Sequence, residues 1–482
     1  MSRPANENME NPLNTQKTPE DSNTTSRRTF LIRTTQAAAG LMAGGAIASS
    51  GAHARPAARP GPLPQGQVVG ANDRINVAVV GIRSRGRNHA ENFAKMPGVF
   101  VKTLCDVDVN LFPSRVAKIA EIQGEAPGTE QDIRRLLEDQ TIDAISIATA
   151  DHWHALATIW ACQAGKHVFV EKPCSHSIWE GRKMVEAAAR YDRIVAVGYQ
   201  NRSIKNVRAA MRFLHQGGIG EVYMARGLCF KPRDSIGRFP DGPVPQGVNY
   251  DLWLGAAPER PFNKNRFHYN WHWFWDYGCG DIGNQGPHQF DIARWGLGET
   301  GHPVAVQSDG GYFCWDSDQE TPNTQMASFE YADGKVLTFE VRGLYTGAEE
   351  GVKIGNLFYG TKGWMWLNGS QWKTFFGRKN EPGPGNESAD SFADPADLAG
   401  AGGGGHYANF IHALRTGRKE DLSCNMESGH ISTVLPHLAN IAYRVGKKLT
   451  FDGKTERFVE CNDANRLVRR VYRKPYVIRE TV

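Results

Sequence analysis

The chain has 482 residues, 40% of them hydrophobic and 22% charged, with a formal net charge of +5. That length supplies core for two or three domains, and the composition is that of a soluble globular protein rather than a disordered chain. So small a charge, with no Lys/Arg block, argues against nucleic-acid binding.

Residues 1–54 read as an export signal. Ser26-Arg27-Arg28-Thr29-Phe30-Leu31 carries a twin arginine, a weakly apolar Ala/Gly-rich stretch runs from Ala37 to Ala48, and Ala52-His53-Ala54 offers a small-residue cleavage site. The apolar stretch holds too many Gly, Ser and Thr for a good spanning helix. The expectation is therefore passage through the twin-arginine machinery to the periplasm or cell envelope. Residues 55–71 are Pro/Gly/Ala-rich and read as an extended arm. The eight cysteines show no CxxC pair and no metal-like spacing. A protein exported folded forms in a reducing cytoplasm, so these thiols read mainly as small buried hydrophobes.

From residue 72 to 200, apolar strand signals alternate with helical ones. Strands are predicted at Ile75–Val80, Val99–Cys105, Ala144–Thr149, Val168–Val170 and Ile194–Gly198, and helices near Arg87–Lys95, Trp153–Ala164 and Trp179–Arg190. This alternation predicts an α/β, doubly wound and mostly parallel sheet, a Rossmann-type domain. Residues 201–455 differ. A helix at Val207–His215 leads to a strand at Glu221–Phe230, and alternating stretches follow at Val304–Phe313, Met326–Tyr331, Lys335–Val341, Gly351–Tyr359 and Trp364–Trp366. They predict an α+β domain built on a large, mostly antiparallel sheet. The Gly/Asp/Pro/Ser-rich stretch 377–405 reads as a long loop, helices are predicted at Tyr407–Thr416 and Glu427–Val445, and residues 456–482 form a tail.

Gly81-Ile82-Arg83-Ser84-Arg85-Gly86 follows a strand and opens a helix, as a phosphate-cradling turn requires, although Arg83 stands where G-x-G-x-x-G has its middle glycine. Asp106 ends the second strand, where a carboxylate accepts hydrogen bonds from ribose hydroxyls. It favours NAD over NADP, while Arg83 and Arg85 keep NADP open. Glu171-Lys172-Pro173 closes the apolar run His167–Val170, so Lys172 stands on the ligand-binding edge of the sheet.

With this loop, Asp106, Glu171-Lys172-Pro173 and Gly280-Asp281-Ile282-Gly283-Asn284-Gln285-Gly286-Pro287-His288 in this order, the chain resembles the Gfo/Idh/MocA oxidoreductases from about Asn72 to about Asp452. The resemblance implies that Lys172 and His288 form an active site with Asn284, which stands where the family has an aspartate. Asn284 can orient a hydroxyl but cannot carry charge, and Asp281 or Asp291 could replace the missing carboxylate. His288, with an ordinary pKa of about 6.5, would take a hydroxyl proton while hydride leaves carbon for nicotinamide. Lys172 would stabilise the developing alkoxide.

Further candidates surround this constellation. Thr149, His152 and His154 follow a strand end and could line the cofactor with Glu171. Gln200 and Arg202 could line substrate. The aromatic run Phe267–Tyr277, with Trp271, His272 and Trp273, reads either as a sugar-binding platform or as a buried hinge. His268 and His272 lie four apart, but without an acidic partner a metal is not expected. The implied activity is NAD(P)-dependent oxidation of a secondary hydroxyl in a sugar, polyol or glycoside, in a homo-oligomer assembled through the C-terminal sheet.

Export adds a constraint, because free NAD is not expected outside the cytoplasm. Holding cofactor for hours needs an off-rate of about 10⁻⁴ per second. With ordinary association that is a Kd of about 10⁻¹⁰ M, roughly −14 kcal/mol. Trapped cofactor must be reset in every cycle, by a second substrate or by returning hydride to the same sugar after elimination or hydrolysis. A redox-neutral glycoside hydrolase, lyase or epimerase-like enzyme is therefore the alternative to a dehydrogenase, and a non-catalytic sugar-binding relative is the third reading.

Overall fold

Short runs of Val, Ile and Ala, flanked by glycine and polar residues, build the first sheet. The computed structural model describes residues 74–392 and 405–482, all within one compact unit, Ala58–Val482. The twin-arginine segment, the 55–71 arm and residues 393–404 lie outside the described residues. Strands β1 (Ile75–Val80), β2 (Val99–Cys105), β3 (Gly128–Glu130), β4 (Ala144–Ile147), β5 (His167–Val170) and β6 (Val195–Val197) form a parallel sheet in the order β3-β2-β1-β4-β5-β6. Helices α1 (Arg85–Ala94), α2 (Phe112–Gln123), α3 (Ile133–Glu138), α4 (Asp151–Gln163) and α5 (Ile178–Arg190) connect them. The strand order reverses between β1 and β4, so a crevice opens at their carboxyl ends. The segment 107–143, unassigned in the sequence reading, holds α2, β3 and α3.

Helix α6 (Lys205–His215) leads into the second half. Its sheet contains β7 (Val222–Cys229), β8 (Ala305–Gly311), β9 (Thr324–Glu330), β10 (Val336–Arg342), β11 (Ile354–Gly360), β12 (Gly363–Asn368), β13 (Gln371–Phe376), β14 (Glu381–Gly385), β15 (Leu449–Asp452) and β16 (Arg457–Phe458). The pairing is antiparallel except for β10 against β7. One face packs on helices. Val336–Arg342 alternates buried and half-buried residues, the pattern of a sheet covered on one side. The expected loop 377–405 begins instead with β14 and a 3-10 turn at Asn386–Phe392. β14 lies at the sheet's edge, the position in a sheet where prolines are tolerated.

Helices α7 (Tyr250–Leu254), α8 (Gly280–Asn284), α9 (Gly286–Leu297), α10 (Gly405–Thr416) and α11 (Met426–Val445) join the two sheets. α11 is buried along most of its length and acts as a strut. Its Thr433 hydroxyl meets the Tyr199 hydroxyl at 3.0 Å, His437 Nε2 meets the Ser175 carbonyl at 3.0 Å, and Asn440 donates to the Cys279 carbonyl at 2.9 Å. A second tie is ionic. Arg202 grips Asp291 with Nε–Oδ2 2.7 Å and Nη2–Oδ1 2.8 Å, and the Ser432 hydroxyl donates to the same carboxylate at 2.6 Å. The tail then returns to the first sheet, where Tyr476, Ile478 and Val482 join a core containing Leu136, Trp153 and Leu156.

The Arg202 and Asp291 side chains are 12% and 1% exposed, so removing Arg202 leaves a buried carboxylate with only Ser432 and the more distant Arg294. Arg202→Met is expected to cost about 3–5 kcal/mol, read as a lower guanidinium midpoint. An unshifted midpoint would show that the tie is dispensable.

Candidate functional site

The strand ends of the first sheet and the α8–α9 corner of the second half enclose one cavity of about 380 Å³. The glycine turn forms one wall. Gly81 has φ +79°, and a Cβ there would stand 2.7 Å from the Ala148 carbonyl oxygen. A Cβ on Gly86 would stand 1.6 Å from the Gly81 carbonyl oxygen, so only glycine lets α1 start this close to β1. Arg115 Nε donates to the Ile82 carbonyl at 3.1 Å and holds the turn from behind. Asp106 accepts from the Ile82 N–H at 2.8 Å and the Asp108 N–H at 3.0 Å. Burial pushes its carboxyl up to about 6, against the pull of those two N–H groups. Val107, Ile133, Trp153 and Leu252 make the adjoining end apolar.

At the end of β5 the Glu171 carboxylate is locked. Oε1 accepts from Arg85 Nε at 2.7 Å and faces His89 Nε2 at 3.0 Å, while His89 Nδ1 meets the Ser146 hydroxyl at 2.8 Å. Burial alone would raise Glu171, but the His89 hydrogen bond and the Arg85 charge outweigh it and hold it well below the usual carboxylate range. This Ser-His-Glu line resembles a hydrolytic triad in partner order. Ser146 and His89 are fully buried, so it serves as structure and not as a nucleophile. Arg85 also donates to Gln200 Oε1 at 2.8 Å, and the His154 ring lies between the Pro173 and Thr149 carbonyls, Nδ1 at 2.7 Å from the first and Nε2 at 3.2 Å from the second.

Lys172 reaches across the cavity, and its Nζ donates to the Asn284 carbonyl at 2.6 Å. The backbone of Asn284, not its amide, takes the lysine. Burial lowers the Lys172 pKa against the opposing pull of Glu171 and Asp151. His288 lines the same wall, and its buried Nδ1 has no hydrogen-bond partner. Burial, reinforced by the Lys172 charge, pulls His288 down to about 3, so the imidazole is neutral near pH 7. Asp281 is gripped by Arg233 and Asp291 by Arg202, while the charge of Asp291 still acts on His288 and that of Asp281 on Lys172.

The aromatic run divides. His268, Tyr269, Trp271 and His272 line the cavity, with His272 stacked on Trp271 at 3.6 Å. Trp273, Phe274 and Tyr277 are buried with Trp253. One part of the run therefore lines the cavity and the other is packed inside the protein. His268 pairs with Asp108 at 2.8 Å and His272 with the Tyr269 carbonyl at 2.5 Å, so the two histidines face different partners. Among the described residues, the one group with metal-ligand spacing is His302, His430 and Glu456. There Arg182 donates to Glu456 Oε1 at 2.7 Å, and its guanidinium already supplies the positive charge.

Of the residues expected here, the structure gathers Gly81, Arg83, Ser84, Arg85, Asp106, Thr149, His154, Glu171, Lys172, Gln200, Trp271, His272, Asn284 and His288 around the cavity. Gly86 lies beneath the turn. Three residues lie elsewhere. His152 is 1% exposed and bonded to the Trp253 carbonyl at 2.9 Å, Trp273 is 4% exposed in the aromatic cluster, and Arg202 is committed to Asp291. Sequence reasoning missed Asp151, the first residue of α4 and a cavity-lining carboxylate. An acid in the first turn of a helix at the ligand edge was its only signal. The eight cysteines are free thiols, and all but Cys314 are buried. Among the described residues no helix is long and apolar enough to cross a membrane.

Comparison with known proteins agrees with this geometry. Residues 75–199 match the model of an oxidoreductase family's NAD-binding Rossmann fold, and residues 235–478 match the same family's C-terminal alpha/beta domain. Among curated proteins, a glycosyl hydrolase family 109 protein of Shewanella pealeana is 28% identical over 201 residues, 41% of this chain and 44% of that protein. One of Saccharopolyspora erythraea is 30% identical over 213 residues, 43% and 46% of the two chains. The aligned segment thus spans less than half the length of these relatives. Among solved structures, the WlbA dehydrogenase of Chromobacterium violaceum, in complex with NADH and UDP-GlcNAcA, has a TM-score of 0.59. It is 19% identical and covers 81% of this chain and 98% of its own. Levoglucosan dehydrogenase, in complex with NADH and levoglucosan, has a TM-score of 0.58 at 19% identity, covering 78% and 99%. These structural likenesses are of fold. With the Rossmann half and the C-terminal half matched in the same order, the chain belongs to the Gfo/Idh/MocA oxidoreductase family.

Proposed function

We propose that this chain is an NAD-dependent enzyme that cleaves or rearranges a glycoside by a redox-neutral cycle: transient oxidation of a sugar hydroxyl, loss or exchange of the aglycone, and return of the hydride. The cavity fits a dinucleotide. It offers an apolar end for a base, the Asp106 carboxylate for ribose hydroxyls, and a helix-opening glycine turn for the pyrophosphate. A bound nicotinamide supplies a hydride acceptor that can give back what it takes. Lys172, fixed by the Asn284 carbonyl, is placed to stabilise negative charge on a substrate oxygen. Trp271, His272 and Tyr269 offer faces and polar edges to a sugar ring.

The observation that carries this reading is the state of the cavity's carboxylates. Direct glycoside hydrolysis works with two free carboxyl groups flanking the bond. Here Glu171 is locked by Arg85 and His89, and Asp106 holds the glycine turn, which leaves Asp151 without a catalytic partner of its own kind. Oxidation of a neighbouring carbon supplies the activation that the missing pair would give. The glycosyl hydrolase family 109 relatives support this reading, while the Glu-Lys-Pro lysine favours a plain dehydrogenase as the second. Both agree with a tightly held cofactor, export through the twin-arginine pathway, and a homo-oligomer joined through the outer face of the large sheet, where Tyr223 and Met326 stand half exposed.

The full-length protein, purified without added NAD, is expected to release nitrophenol from an aryl glycoside in deuterated water and to place deuterium on the sugar carbon next to the oxidised one. NADH accumulating in step with an oxidised sugar, without aglycone release, would favour the dehydrogenase. Asp106→Ala is expected to weaken NAD retention by about 1.5–3 kcal/mol, roughly 10- to 150-fold in Kd, read as cofactor content after dialysis. Equal content in wild type and variant would remove Asp106 from the cofactor site. Lys172→Ala should abolish turnover and keep cofactor content, since the cofactor-facing turn does not rest on it. Turnover near the wild-type rate would mean that Lys172 serves only to hold the Asn284 carbonyl.

A further inference from the structure

Asp151 is a buried carboxylate that the protein satisfies only in part. It is the first residue of α4, 3% exposed, and lines the same cavity as Lys172, Asn284, His288 and His272. Its Oδ2 has no hydrogen-bond partner, and among the described residues no cation pairs with it. The Cys279 thiol adjoins its carboxyl. Lys172 lies near enough for the two charges to act on one another, yet its Nζ is directed to the Asn284 carbonyl. Buried polar atoms are nearly always paired, and an unpaired buried carboxylate is costly. A group kept in that state on the wall of a cavity is satisfied by what enters the cavity.

We propose that Asp151 is the proton acceptor for the substrate hydroxyl whose oxygen Lys172 engages. The inference rests on the reading of this cavity as one that oxidises a hydroxyl. The hydroxyl donates to Asp151 Oδ2 and accepts from Lys172 Nζ, bridging two groups that do not themselves pair. The O–H bond breaks and an O–H bond to Asp151 forms. The pair left on oxygen becomes the second C–O bond as the C–H pair departs to the hydride acceptor. The return stroke reverses both transfers, so the cycle consumes neither proton nor electrons.

The other candidates for this proton are already engaged. Glu171 is locked, His154 spans two carbonyls, and His272 Nδ1 is held by the Tyr269 carbonyl. His288 is free but is drawn down to about 3 by burial and by the same Lys172, which makes it a weak base. Asp151 moves the other way: burial raises it well above the ordinary carboxylate value, against the pull of Lys172 and Cys279 and with that of Glu171. A base works best when its pKa approaches the working pH. Lys172 in turn feels Glu171, Asp151, Arg85 and Asp281.

Two measurements on the full-length, cofactor-containing protein test this. The first needs no turnover: trace acetylation of Lys172 against pH, read by peptide mass spectrometry. Asp151→Asn is expected to lower the labelling midpoint by about one pH unit or more, because it removes a negative charge that favours the ammonium, and Asp151→Glu should restore it. An unshifted midpoint overturns the proposal whatever the protein's substrate. The second is the pH–rate profile. Asp151→Asn should lower kcat about 10²- to 10⁴-fold, with KM changed only a few-fold, and should remove the acid limb, whereas His288→Asn should keep that limb. An acid limb that survives in Asp151→Asn and vanishes in His288→Asn gives the proton to the histidine and overturns the proposal. If aryl glycosides and polyols are all inert with wild type, the reaction reading fails, and the labelling midpoint alone decides the place of Asp151. Should Asp151→Asn fail to fold, Asp151→Glu against wild type carries both measurements: a longer carboxylate that left the acid limb and kcat untouched would overturn the role.

Discussion

The locked carboxylate of Glu171 is the constraint on which the cavity rests. It lies at the end of strand β5 among Arg85, His89 and Lys172, groups whose positive charge a buried anion compensates. Taking ions out of water costs several kcal/mol each, and the cost is recovered only where geometry and hydrogen bonds are good. Through Arg85 the carboxylate holds Gln200, through His89 it reaches Ser146 on β4, and its own chain neighbour is the lysine that lines the cavity. One side chain thereby ties together the glycine-turn helix, the strand ends and the start of the Lys172 segment.

A second consequence concerns water and charge. Lys172 spans from the first sheet to the α8–α9 corner, so the two halves of the molecule meet across the cavity in a polar contact. His288 and His272 are both held neutral by burial, so the positive charge near that corner comes from Lys172, with Arg85 and Arg233 acting alongside it. In a site of low dielectric a nearby cation acts strongly on a developing alkoxide. Additional positive histidines would spread that field and lower the basicity of any nearby proton acceptor.

Local features were the ones legible in the sequence. The glycine turn, Asp106 and Glu171-Lys172-Pro173 each follow a strand at once, so strand periodicity alone places them on one edge. The two-sheet architecture was also readable, because alternation of strand with helix and alternation within strands are both short-range patterns. Misplaced residues were those whose partners are remote in sequence. Arg202 meets Asp291, 89 residues on, and His152 meets the Trp253 carbonyl, 101 residues on. A polar side chain at a strand end looks alike whether it faces ligand or a distant ion-pair partner. The role of the Asn284 carbonyl left no trace in the side-chain pattern, since any residue could supply it. Asp151 was passed over because an acid in a first helical turn usually needs no explanation beyond the helix dipole.

The return of the tail to the first sheet bears on how the molecule is made. Tyr476, Ile478 and Val482 belong to the same core as Leu136, Trp153 and Leu156, and the Arg470 guanidinium donates to the His152 carbonyl at 3.1 Å. The nucleotide-binding half therefore cannot finish closing when its own residues emerge from the ribosome. Nearly three hundred further residues must be added first, on the order of tens of seconds at ordinary synthesis rates. During that interval an unfinished sheet is exposed to chaperones and to neighbouring chains, and cofactor capture becomes a late, post-translational event.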